Sequence, residues 1–75
     1  MPELRKVSGR EAIGALERLG FRQLRQRGSH VILARETAEG KVGCVVPMHR
    51  ELKTGTRRGV LRQAGVSPDE FLEAL

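Results

Sequence analysis

The chain has 75 residues, 39% hydrophobic and 31% charged, which suits one small domain over residues 1–75 and excludes a disordered or membrane-spanning class. Fourteen Lys and Arg against nine Asp and Glu leave a formal charge of +5, so a polyanion or an acidic protein is the expected partner, against the plainer reading of a soluble basic surface. The single cysteine, Cys44, permits no internal disulfide; with no apolar run near about 18 residues and no signal-peptide pattern, a cytoplasmic protein without a membrane partner is expected.

Met1 to Val7 reads as a short lead-in, a first strand or a loose arm. Ser8-Gly9-Arg10-Glu11 fits a capping box, in which the Glu11 backbone N–H donates to the Ser8 hydroxyl and the Glu11 carboxylate reaches back. Val7 and Ala12 fall at the hydrophobic-staple positions. Ala12, Ile13, Leu16 and Leu19 share one helical face, which predicts a helix over residues 9–19 stopped by Gly20. Residues 21–27 alternate imperfectly, with Phe21, Gln23 and Arg25 on one side and Arg22, Leu24 and Gln26 on the other. They predict a strand with an apolar end and a basic end. Gly28 is the turn residue. Residues 29–35, with Val31, Ile32 and Leu33, predict a second strand. Residues 36–40 read as a polar hairpin loop, and residues 41–46 as a third strand stopped by Pro47. The short connections imply an antiparallel meander.

Residues 48–53 form a basic loop that contains His49. Thr54 is expected to cap a second helix running to about Ala64, with Val60, Leu61 and Ala64 buried and Arg57, Arg58 and Arg62 facing outward. Gly55 and Gly59 weaken that helix. Ser67-Pro68-Asp69-Glu70 is a second capping box with proline at the first helical position. Phe71, Leu72 and Leu75 give the last short helix its apolar side. The result is an α+β domain: a three-stranded antiparallel sheet with helices packed on one face.

Two histidines carry the chemical interest. Period-2 geometry puts Val31 and Leu33 on the face that meets the helices, and His30 and Ile32 on the other. Arg25 and Arg27 lie across the Gly28 turn, so cations can surround an anion beside His30. Metal-free RNA cleavage needs a base for the 2′-hydroxyl, an acid for the leaving oxygen and cations for the phosphorane. Histidine titrates near neutral pH, and positioned acid–base help is worth roughly 10²–10⁴ in rate. The plainer reading of His30 is an ordinary edge-of-strand histidine, and of His49 an exposed loop histidine.

The cations fall in three groups, Arg22 with Arg25 and Arg27, Arg50 with Lys53, and Arg57 with Arg58 and Arg62, which can form one phosphate-binding surface if the fold brings them together. Thr54, Gly55 and Thr56 open the second helix, whose free N–H groups can add an anion site. Two histidines and one cysteine without clustered carboxylates form no recognisable ligand set, so no metal and no small-molecule cofactor are expected. Cys44 reads as a small core residue. The sheet lacks the aromatic platform of stacking RNA-binding domains. From the residues alone three functions stay open: a metal-independent endoribonuclease, an RNA-binding module without catalysis, and a pure protein-interaction domain.

Several short pieces then fall into a familiar order. They are Gly20-Phe21; Arg27-Gly28-Ser29-His30; Val46-Pro47-Met48-His49; Glu51-Leu52-Lys53 followed by Gly55-Thr56; and Leu61-Arg62-Gln63-Ala64-Gly65. In this order the chain resembles the HicA family, the toxins of bacterial and archaeal HicAB toxin–antitoxin pairs, from about Ser8 to Phe71. The resemblance implies a double-stranded-RNA-binding-domain-like fold, α-β-β-β-α. It implies a ribosome-independent mRNA interferase that blocks translation and is silenced by a HicB-type antitoxin. It places the catalytic histidine at His30 and the family's second histidine position at His49. Arg25, Arg27, Ser29, His49, Arg50, Lys53, Arg57 and Arg58 are the residues expected to hold RNA. The acidic loop Glu36 to Gly40 departs from the family, where His or Arg often stands with Pro-Asp-Gly.

Overall fold

The structure, a computed structural model, describes residues 5–75. Helix α1 (Gly9–Arg18) starts at the expected capping box. The Glu11 N–H donates to Ser8 Oγ at 3.0 Å, and the Ser8 N–H donates to the Glu11 carboxylate at 3.0 Å. That backbone bond holds the Glu11 carboxyl below the usual 4.5. Ala12, Ile13, Ala15 and Leu16 make the buried stripe, and Leu19 forms the C-cap rather than the last helical residue. Of the lead-in over residues 1–7, residues 1–4 lie outside the described residues. Val7 is fully buried, and its carbonyl accepts from the Leu52 N–H at 2.7 Å.

Strands β1 (Arg22–Arg27), β2 (His30–Thr37) and β3 (Gly40–Pro47) form an antiparallel sheet in that spatial order. Gly28, with φ of 60°, supplies the left-handed turn between β1 and β2 that a side chain would resist. The second hairpin is tighter than the five-residue loop expected. Its ladder continues to the Thr37–Gly40 pair and leaves only Ala38 and Glu39 in the turn. Thr37 reinforces it, donating to the Gly40 carbonyl at 2.7 Å and accepting from the Glu39 N–H at 3.2 Å.

Residues directly opposite in an antiparallel pair share a face. Val31 pairs with Val46 and Leu33 with Cys44, and all four are buried on the helix side. His30, Ile32 and Ala34 lie on the other face, opposite Pro47, Val45 and Gly43 of β3. Strand β1 breaks its alternation. A bulge between Gln23 and Arg25 leaves Leu24 as an extra, exposed residue. Arg22 pairs with Ala34, Arg25 with Ile32, and Arg27 with His30. The expected division of residues 21–27 is therefore overturned: all three arginines share the open face with His30, and Gln23 takes the helix side. Gln23 donates from there to the Glu17 carboxylate at 3.1 Å.

Helix α2 (Thr54–Ala64) packs along β3, and helix α3 (Pro68–Ala74) packs on α1. The Val45 N–H donates to Gln63 Oε1 at 3.1 Å, which satisfies part of the outer edge of β3. Thr54 does not cap α2. Lys53 holds the N-cap position, with no side-chain bond. Ser67 and Glu70 complete the second capping box, and Arg18 donates to the Ala74 carbonyl oxygen. Leu16, Phe21, Leu33, Val46, Leu61 and Phe71 anchor the core between sheet and helices. This is the α+β, double-stranded-RNA-binding-domain-like arrangement, with α3 added after α2. No helix among the described residues is long and apolar enough to cross a membrane.

Candidate active site

His30 is the first residue of β2 and is exposed. The two-residue turn aims it onto the open face, with Arg27 directly across on β1 and Pro47 across on β3. Arg25 stands one rung along, opposite Ile32. Gln26 stiffens the turn by donating to the Gly28 carbonyl at 2.9 Å. Ser29 lies in the turn, and its own carbonyl accepts from the Met48 N–H at 2.7 Å. That bond ties the loop carrying the second histidine to the turn carrying the first.

The same loop is held from the other side. The Gly9 N–H donates to the His49 carbonyl at 2.8 Å. A Cβ on Gly9 would run into the Pro47 carbonyl oxygen, so only glycine allows the start of α1 to come this close. His49 and Arg50, with Ser8, Arg10 and Met48, line a cavity of about 290 Å³ beside the helix start. The expected residues thus divide into three places. Arg25, Arg27 and His30 share the sheet face, and Ser29 sits in the turn below them. His49 and Arg50 occupy the adjoining loop. Lys53, at the N-cap of α2, and Arg58, within it, are exposed on the element packed beside β3.

Arg57 is the correction. It was expected to face outward and hold RNA. The structure leaves it only 7% exposed, with its guanidinium donating to the Arg5 carbonyl at 3.1 Å. Arg57, Val60, Leu61 and Ala64 follow the i, i+3, i+4, i+7 spacing of a buried stripe, and that pattern is visible in the sequence. Arg35 is also turned inward. It lies 4.7 Å from the Phe21 ring centroid and donates to the Leu19 carbonyl at 2.9 Å. Arg22, grouped with Arg25 and Arg27 by charge but not counted among the residues expected to hold RNA, joins them here: strict alternation sends it to the other side of the strand, and the bulge returns it to the side of His30.

The electrostatics follow from these positions. Among the described residues the only ion pair is Arg5 with Glu11, at 2.8 Å. The charges of Arg22, Arg25 and Arg27 are therefore unopposed by a contacting carboxylate there and face solvent. Cys44 lies under the sheet, and burial pushes its thiol up to about 11, so it stays protonated at neutral pH. His, Cys, Asp and Glu side chains gather in no group of three or more among the described residues. What the open face offers is one solvent-reached imidazole beside guanidinium groups. Such a pair can move a proton at a phosphodiester while fixed cations stabilise the charge that develops.

A family model described as the HicA toxin of bacterial toxin–antitoxin matches residues 9–66, well over half of the chain. No curated protein matches the chain.

Proposed function

The chain belongs to the HicA toxin family of toxin–antitoxin systems, and from that premise we propose that it is a metal-independent endoribonuclease that cleaves mRNA with His30 as its proton-transfer group. The observation that carries this reading is the exposure of His30 on the open face, directly across from Arg27. In cleavage through the neighbouring 2′-hydroxyl, that oxygen loses a proton as it bonds to phosphorus, and the departing 5′-oxygen gains one. His30 performs one of these two transfers. Arg27 and Arg25 hold the phosphate and offset the charge of the phosphorane. Ser29, His49 and Arg50 extend the contact along the adjoining turn and loop, and Lys53 at the α2 N-cap and Arg58 within α2 add charge.

A toxin of such a pair works against an antitoxin. We assign that partner, of HicB type, a surface that covers His30 and presents acidic or carbonyl groups to the arginines. The test is induced expression of the wild type and His30→Ala, following growth and total mRNA together. The expected result is loss of growth arrest and of RNA cleavage in His30→Ala. Its thermal midpoint should stay within a few degrees of wild type, because an exposed strand-end substitution shifts stability by about 0.5 kcal/mol or less. A folded His30→Ala protein that still cuts RNA at the wild-type rate overturns the assignment. Steep loss of RNA affinity with salt but no cleavage by wild type would favour a binding module instead.

A further inference from the structure

The open face carries more cations than one scissile phosphate needs, and they stand in a line. Arg27, Arg25 and Arg22 occupy the rungs of His30, Ile32 and Ala34 in turn. Successive rungs on one face lie about 6.6 Å apart, so the line runs about 13 Å from His30 to Arg22. That step is comparable to the spacing of neighbouring phosphates along an extended nucleotide strand. Beside the line lie apolar side chains: Ile32 is half-buried, and Val45, its partner on β3, is 38% exposed. At the far end Glu36 stands on the same face opposite Lys41, so that rung carries no net charge, and Glu39 lies in the turn beyond.

We propose that this face is a track for single-stranded RNA, on which Arg22 holds the phosphate next to the one that Arg27 and Arg25 grip at His30, while unpaired bases rest on Ile32 and Val45. The proposal rests on the reading that the chain acts on RNA, and it adds the form of the substrate and the direction in which it lies. Single-stranded RNA fits better than a duplex for two reasons. The three arginines form one row on one strand, whereas a duplex presents two rows of phosphates. The apolar strip beside the row has a use only if the base faces are free. No aromatic ring serves here, so base contact is aliphatic and weakly selective. Arg22 is a binding residue far from the reacting atoms. It reaches the track only because the Leu24 bulge turns it to the side of His30.

The test uses the full chain carrying His30→Ala, so that RNA stays intact, with fluorescein-labelled octauridylate, diuridylate and a self-complementary RNA duplex of octamer length as probes. Binding is read by anisotropy across a salt series. Adding Arg22→Gln should weaken octauridylate roughly three- to tenfold at low salt and lower the slope of log K against log salt by about 0.7, the value of one phosphate contact to a single strand. Diuridylate, too short to reach that rung, should bind as before, and Arg22→Lys should restore the slope. Three results each overturn the proposal: octauridylate that ignores Arg22→Gln, which would give the face to a protein partner; duplex RNA bound as tightly as the single strand; or no octauridylate binding at all. Cleavage by wild-type protein is scored separately on gels, so failure of the nuclease reading is distinguishable from failure of the track.

Discussion

Fourteen cationic side chains look alike in a sequence, and their surroundings make them different reagents. Arg25 and Arg27 point into solvent on the face of His30, while Arg57 and Arg35 are turned inward to cap the carbonyls of Arg5 and Leu19. A buried guanidinium that satisfies a backbone carbonyl is structural, and removing it strands that carbonyl. Arg57→Ala is therefore expected to destabilise the fold by about 1–3 kcal/mol. A thermal melt should show a drop of at least about 4 °C, whereas Arg58→Ala, exposed on the same helix, should leave the midpoint nearly unchanged. Equal midpoints for the two variants would contradict the buried role. His30 was legible because a strand rule needs only its neighbours: with Val31 and Leu33 inward, His30 must face out. Arg57 was legible in principle from its spacing to Val60, Leu61 and Ala64, but its charge masked the stripe.

At the level of elements, local chemistry was readable and long-range fit was not. Both capping boxes formed as written, because serine and glutamate three apart satisfy each other without help from the rest of the fold. The cap at Thr54 failed, and α2 starts with no side-chain bond at all. The Leu24 bulge lay beyond strand periodicity, since it is a property of the β1–β2 register and not of β1 alone. Glycine shows the same divide. Gly59 lies inside α2, where an added Cβ meets nothing within 4 Å, whereas one on Gly9 meets the Pro47 carbonyl. Gly59→Ala should thus stabilise the fold by about 1 kcal/mol through helix propensity. Gly9→Ala should destabilise it and loosen the His49 loop. Urea midpoints that move in the same direction for both would refute this account.

For the molecule as a whole, the formal charge of +5 says less than its distribution. One row of arginines runs along β1 on the open face, a second group rims the His49 cavity, and the helices on the opposite side hold the core. A chain this short has a net stability of only about 3–5 kcal/mol from its core, so a ligand of the folded state is felt strongly. Octauridylate at about 100 times its Kd should add about 2.7 kcal/mol to the His30→Ala protein, a rise of roughly 10 °C or more in thermal midpoint. High salt should erase most of that rise, and a midpoint indifferent to RNA at low salt would mean that the folded protein does not bind it. The extra residue at Leu24 has one more consequence, for how kindred chains are compared. Loss of a single codon there would barely alter composition, yet it would swing the guanidinium of Arg22 from one side of the sheet to the other. Two toxins with equal arginine counts can therefore grip a message differently, and an alignment gap placed one column away would hide the reason.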